Sequence, residues 1–108
     1  MKIVIAGGGS GSSPTHRSTE IVDLERRTIQ DAGDLNVARV WFHILSITTG
    51  GSERTFALAG WDGSDNDLDS IEELDPDTLT WNTTPAKLEE ERGWFGAVSL
   101  PRSLVCQA

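Results

Sequence analysis

The sequence has little that nucleic-acid or membrane binding would need. Its 9 lysines and arginines stand against 17 aspartates and glutamates, which gives a formal net charge of -8. Nucleic-acid surfaces need clustered basic residues, and anionic membranes attract basic segments, so neither is expected as a partner. No run approaches the roughly 20 apolar residues that span a bilayer. The apolar run at the start is too short for a signal peptide.

Cysteine, histidine and tyrosine are also scarce. Cys106 is the single cysteine, so no disulfide can close within the chain, and a cytoplasmic location is the simpler expectation. The two histidines, His16 and His43, lie far apart. Because a metal site needs several ligands at close spacing, we expect neither a metal nor another cofactor. His43 lies within an apolar segment and is predicted to be a packed interior residue.

The acidic segment "DGSDNDLDSIEE" partly fits the spacing of an EF-hand calcium loop. Asp62, Ser64 and Asn66 would take ligand positions 1, 3 and 5. Glu73 would take position 12. The sharp turn of that loop needs glycine at position 6, where this chain has Asp67. A solvated connection between strands is therefore favoured over a calcium site.

The glycines of "KIVIAGGGSGSS" allow several interpretations. A dinucleotide-binding turn would need a third glycine where Ser12 stands and then a helix, but Pro14 and a polar run follow. A phosphate-binding loop would need a lysine after the glycines, and a serine-hydrolase elbow needs more than Gly9-Ser10-Gly11. A flexible linker does not explain the apolar residues before the glycines. The stretch is best interpreted as a strand that ends where the chain leaves a sheet.

An internal repeat is the strongest signal in the sequence. The segment "IVIAGG" recurs 53 residues later as "FALAGW", which places Gly7 on Gly60. The segment "STEIVD" recurs 52 residues later as "SIEELD", and "LNVARVWFHILSI" recurs 53 residues later as "LEEERGWFGAVSL". Several matches in nearly one register indicate two copies of a unit of about 50 residues. The last match pairs Leu35 with Leu88, Arg39 with Arg92, and Trp41 with Trp94.

Each unit has the pattern of four short strands. In the second unit the predicted strands are "VWFHILSI", "RTFALAG", "LDSIEELD" and "LTWNT", which are rich in apolar and β-branched residues. Polar or glycine-containing turns separate them, and Pro76 presets the backbone of the last turn. Four strands in about 50 residues are typical of a propeller blade, so the sequence predicts an all-β, antiparallel fold.

On these residues the chain resembles the kelch repeat family along nearly its whole length. The family's marks are a glycine pair after the second strand, an aspartate in the turn after the third, a tryptophan in the fourth, and an arginine before the next first strand. Gly60-Trp61 keeps one glycine of the pair, and Ile29 replaces the first tryptophan, which is typical of a divergent member. The residues that match the pattern are Gly7, Gly8, Gly60, Asp23, Asp75, Trp81, Arg39 and Arg92.

The resemblance implies a fragment of a kelch-type β-propeller built from antiparallel four-stranded blades. Residues 1–38 would hold strands 2 to 4 of one blade, residues 39–91 a complete blade, and residues 92–108 the first two strands of a third. A ring of about six such blades needs about 300 residues, so further blades of this chain or of other chains must close it. Open blade edges would also invite strand pairing.

The resemblance also implies a protein-binding module rather than an enzyme. Kelch-type copper oxidases use tyrosines as metal ligand and radical site, and this chain has no tyrosine. The implied partner is a protein, as for ubiquitin-ligase adaptors or actin-binding relatives. The alternatives are part of a kelch-type enzyme acting on sugars and a propeller fragment without a function of its own.

Partners of kelch propellers usually bind the face formed by the loops after the second strands and those leading into the first strands. In this chain the former correspond to residues 9–17 and 62–67. Arginine and tryptophan are common binding anchors because they combine large buried area with directed polar contacts. Their alternative role is structural, between blades or in the core. The candidate binding residues are Arg39, Trp41, Arg92, Trp94, Asp62 and Asp65.

Overall fold

The computed structural model describes residues 2–9, 15–64, 66–93, 96–98 and 100, and this part of the chain contains seven β-strands and no helix. The predicted all-β, antiparallel class is confirmed. No helix in these ranges is long and apolar enough to cross a membrane. The strands are β1 (Lys2–Ala6), β2 (Thr19–Asp23), β3 (Thr28–Ala32), β4 (His43–Thr49), β5 (Ser52–Trp61), β6 (Asp67–Asp75) and β7 (Thr80–Lys87).

The strands form two separate meanders. The first sheet has the order β1-β2-β3, the second has the order β4-β5-β6-β7, and all neighbouring strands are antiparallel. The first sheet lies within residues 1–38 and the second within residues 39–91. The third unit predicted from residue 92 falls mostly on residues 94, 95, 99 and 101–108, which lie outside the described residues.

The two sheets share one pairing register. Ile5 pairs with Glu20 in the first sheet, and the residues 52 positions later, Ala57 and Glu72, pair in the second. Likewise, residues 22 and 29 pair between β2 and β3, and the residues 52 positions later, 74 and 81, pair between β6 and β7. The internal repeat is therefore present in the backbone as well as in the sequence.

The offset between β1 and β5 corrects the sequence alignment. Matching "IVIAGG" to "FALAGW" at 53 residues shifts β5 by one position, and such a slip turns every side chain to the opposite face. In the structure Gly7 and Gly8 correspond instead to Ala59 and Gly60, and all four residues have positive φ, at 63°, 84°, 50° and 97°. The expected match of Gly7 with Gly60 is therefore wrong. The second unit keeps the second glycine and replaces the first with alanine.

The first strand of the second sheet begins later than predicted. The apolar run starts at Val40, but Trp41 has a φ of 53°, a left-handed conformation that interrupts an extended chain. Val40 forms only an isolated bridge with Trp61, and β4 starts at His43, whose side chain is half-buried.

The predicted turn aspartates have matching geometry in the two sheets. Asp23 Oδ1 accepts hydrogen bonds from the backbone N–H groups of residues 25 and 26, both at 3.1 Å. Asp75 Oδ1 accepts them from residues 77 and 78, at 2.9 and 3.3 Å. Each turn ends in a left-handed residue, Arg27 at 56° and Leu79 at 57°. These side-chain caps stabilise the turns and fix the register of the strands on either side.

A small core lies between the two sheets. Leu35, from the connection between them, is fully buried against residues of the second sheet, including Trp81 at 4% exposure. Trp81 Nε1 also donates a hydrogen bond to Thr19 Oγ1 at 2.9 Å, which joins β7 to β2. The cluster consists of Leu35, Ala57, Leu74 and Trp81, with Val4, Ala6 and Phe42 packed against it.

We expect Gly60→Ala to destabilise the protein by about 3 kcal/mol, because left-handed strain and overpacking add. A Cβ at this position would lie 2.6 Å from Phe42 Cβ and 2.7 Å from the Val40 carbonyl oxygen. Gly50→Ala is the control, since Gly50 has a φ of 59° with no atom within 4 Å of the added Cβ, and should cost about 1 kcal/mol. Urea unfolding measures both losses, and equal losses would contradict the packing argument.

Candidate functional site

Two tryptophans, of which Trp41 is exposed and Trp61 half-buried, stack on each other at the end of β5. The rings of Trp41 and Trp61 stack with centroids 4.9 Å apart and an interplanar angle of 11°. The backbone bridge of Val40 with Trp61, with both N–H···O distances at 2.9 Å, fixes the chain next to Trp41. Trp41 is 51% exposed, so a large apolar area faces solvent on a backbone held by the sheet.

The acidic loop that follows Trp61 is organised by one carboxylate. Asp62 Oδ1 accepts hydrogen bonds from Ser64 N at 2.8 Å and Asn66 N at 3.4 Å, and Oδ2 accepts one from Asn66 Nδ2 at 3.3 Å. The bond from Ser64 N is the main cause that lowers the pKa of Asp62. Asp65 lies outside the described residues. No group of three or more acidic, histidine or cysteine side chains suited to a metal occurs in the described ranges.

The loops of the two units meet at this surface. A side chain on Gly63, which has a φ of 88°, would overlap the side chain of Thr15, so the Thr15 side chain packs directly against the Gly63 backbone. Arg92 lies nearby, because its carbonyl accepts a hydrogen bond from Gly60 N at 2.7 Å. We call the Trp41–Trp61 pair with residues 62–64 and 66 the tryptophan surface. Trp94, also predicted here, is not among the described residues.

The structure gives Arg39 a structural role instead of the predicted binding role. Its side chain is 0% exposed, and all three guanidinium nitrogens donate hydrogen bonds inside the protein. Nε and Nη2 reach Glu72 Oε2 at 3.1 and 3.0 Å. Nη1 donates to the Ala59 and Ser70 carbonyls at 2.8 and 3.1 Å, and Nη2 donates to Ser70 Oγ at 2.7 Å. A guanidinium satisfied in this way presents no surface to a partner.

Glu72 is the acceptor that sequence reasoning missed. Its Oε1 accepts hydrogen bonds from Asn36 N and Nδ2 at 2.7 and 3.1 Å, and its Oε2 accepts one from Val37 N at 3.3 Å in addition to those from Arg39. One fully buried carboxylate thus holds the connection between the sheets against β6. The sequence contained one indication of this burial. Glu72 lies two residues before Leu74 in a predicted strand, so both side chains face the core.

The predicted glycine and arginine positions contact each other in the same way in both units. Gly8 N donates to the Arg39 carbonyl at 2.8 Å, and Gly60 N donates to the Arg92 carbonyl at 2.7 Å. A Cβ on Gly7 would lie 2.7 Å from the Arg39 carbonyl oxygen, so glycine fits this position in the first unit, whereas the second unit has Ala59 at the corresponding position. Comparison with models of known protein families and with curated proteins gives no match for this chain.

We expect Glu72→Gln to lower the free energy of unfolding by about 3 to 5 kcal/mol, because it leaves the Arg39 charge buried without its counter-ion. Glu73→Gln is the matched control. Its carboxylate pairs with Arg54 at 2.7 Å in an exposed site, where such a pair contributes about 1 kcal/mol at most. Urea unfolding of the two variants tests the difference, and a similar loss in both would contradict a special role for Glu72.

We expect the Asp62 carboxyl to titrate below the ordinary aspartate value of about 3.9, because the loop hydrogen bonds favour its charged form. A lowered pKa in the folded state means that this stabilisation is present at neutral pH and is lost as the pH falls through that pKa. NMR titration of Asp62 and of the Ser64 amide should give one shared midpoint. In Asp62→Asn the pH-dependent shift of the Ser64 amide should vanish. If that shift persists, the Asp62 carboxyl is not its cause.

Proposed function

We propose that the chain is part of a kelch-type β-propeller and acts as a protein-binding module without catalytic activity. The observation that carries the proposal is the repeated geometry of the two units, which share strand register, aspartate turns and the backbone contact between glycine and arginine. These are the positions at which the sequence resembles kelch repeats. The roles that the resemblance suggests are substrate recognition for a ubiquitin ligase and binding to actin, in the cytoplasm.

The tryptophan surface is the proposed contact with the partner. Trp41 combines a large exposed area with a backbone fixed by the bridge between Val40 and Trp61, which are the properties of a binding anchor. The charged Asp62 follows directly in the chain, and the whole molecule carries a net charge of -8. Cationic side chains bind favourably to indole faces and to carboxylates. The partner we propose is a protein segment with an arginine or lysine beside apolar residues.

Peptide selection tests this surface directly. A phage-displayed random-peptide library selected on the 108-residue chain should yield peptides in which a basic residue adjoins an apolar one. Trp41→Ala should weaken their binding by about 30-fold, the size of a hot-spot loss. Leu24→Ala is the control, because Leu24 is similarly exposed, at 50%, and lies in the turn after β2. Peptides that bind Trp41→Ala and wild type equally would overturn the proposed contact.

Co-sedimentation with filamentous actin separates the two suggested roles. Actin binding that is lost in Trp41→Ala and kept in Leu24→Ala would support an actin-binding role for the tryptophan surface. If the chain does not pellet with actin filaments, the actin-binding role is overturned and substrate recognition is the remaining role.

A further inference from the structure

The segment that ends at Arg92 is held by the backbone in the same way as the segment that ends at Arg39. Leu35 N donates to the carbonyl of residue 17 at 2.8 Å, and Leu88 N donates to the carbonyl of residue 69, also at 2.8 Å. At the other end both arginine carbonyls accept from glycine N–H groups, as described above. The side chains differ, since Arg39 is 0% exposed and Arg92 is exposed. Arg92 therefore has the backbone position of a buried arginine without its buried environment.

The first sheet carries the matching acceptors, and no arginine in the described ranges occupies them. The Arg39 guanidinium binds the Glu72 carboxylate, the Ser70 hydroxyl and the backbone carbonyls of residues 59 and 70. At the offset of 52 residues that relates the two sheets, these positions are Gly7, Ser18 and Glu20. Ser18 and Glu20 are both exposed. The hydroxyl and the carboxylate that would receive an arginine are thus present and open to solvent.

The open face of the first sheet is apolar around these acceptors. Ile5 corresponds to the buried Ala57, and Ile29 corresponds to the buried Trp81. Ile5 is 54% exposed and Ile29 is 67% exposed, whereas Ala57 and Trp81 are 0% and 4% exposed. The positions that form the core in the second sheet are therefore uncovered in the first.

The second sheet has an open apolar face of its own. Side chains on its far side line a groove of about 320 Å³, and they include Leu45, Ile47, Phe56, Leu58 and Ile71. Phe56 and Leu58 correspond to Val4 and Ala6, the residues through which the first sheet packs against the shared core. The far face of the second sheet is thus equivalent to a face that is already packed within the chain.

We propose that the chain associates head to tail with a second copy of itself, with Arg92 of one copy bound by Ser18 and Glu20 of the next. The grooved face of the second sheet then covers Ile5 and Ile29 in the neighbour, as the first sheet covers Ala57 and Trp81 within one chain. Because the two contacting surfaces differ, the association is heterologous and forms a ring if the rotation closes or a filament if it does not.

The positions that meet across this contact are chemically compatible. Within the chain, Trp81 donates a hydrogen bond to Thr19. The equivalent residues across two copies are Ile29 and Ile71, so an apolar pair replaces a hydrogen-bonded one and no buried polar group loses its partner. The inference rests on the repeat geometry and does not depend on the proposed binding role of the tryptophan surface.

Charge reversal tests the contact. By analytical ultracentrifugation, the average mass of the wild-type chain should rise with concentration above the 11.7 kDa of one copy. Glu20→Arg and Arg92→Glu should each lower the association constant by about tenfold or more, because each places like charges together. The double variant, and an equimolar mixture of the two single variants, should recover association because opposite charges face each other again.

Glu53→Arg is the control, since it makes the same reversal at an exposed position in the hairpin between β4 and β5. It should associate like wild type, and circular dichroism should show that all variants keep the wild-type β signal. A wild-type chain that remains monomeric at every concentration overturns the proposal. Single reversals without effect, or no recovery in both the double variant and the mixture, also overturn it. Trp41→Ala should still associate, which separates this test from that of the tryptophan surface.

Discussion

The ion pair between Arg39 and Glu72 is the interaction on which the arrangement of the two sheets depends. Both side chains are fully buried, so each charge has been removed from water and needs the other to compensate. The same carboxylate also binds the backbone at Asn36 and Val37. These bonds fix the backbone of the connection between the sheets, and in this conformation Leu35 lies in the core. Because a buried ion pair adds little net stability over well-packed apolar residues, we infer that its main role here is to fix this geometry.

The repeat is maintained by backbone requirements more than by identical side chains. The two sheets share pairing register, aspartate-capped turns and left-handed residues at corresponding positions, although Ile29 corresponds to Trp81 and Ile5 to Ala57. Side chains at equivalent positions instead vary with their surroundings. The second sheet has its core face covered by the first, and the first has no corresponding neighbour within the described ranges. The side chains at equivalent positions of the two sheets therefore differ because their surroundings differ.

Strand type and turn chemistry could be predicted from the sequence because they are local properties. The alternating apolar runs and the aspartates at positions 23 and 75 specify strands and turns without distant partners. The offset of β5 could not be obtained in this way, since the letters match better at 53 residues than at the correct 52. The left-handed conformations of Trp41 and Ala59 could not be predicted either, because a positive φ is normally expected at glycine. The burial of Glu72 depends on an arginine 33 positions away.

Ala59 contacts the buried Arg39 and lies two residues before the surface residue Trp61. Its left-handed conformation is unfavourable for a residue with a Cβ, and its carbonyl accepts a hydrogen bond from the buried Arg39 at 2.8 Å. The next two residues are Gly60 and Trp61, the base of the aromatic stack. The backbone beneath the stack is thereby held from within the protein. If the tryptophan surface binds a partner as proposed, that partner meets a pre-organised surface and less conformational entropy is lost on binding. Its affinity would then depend in part on the buried Arg39 and Ala59, which the partner does not contact.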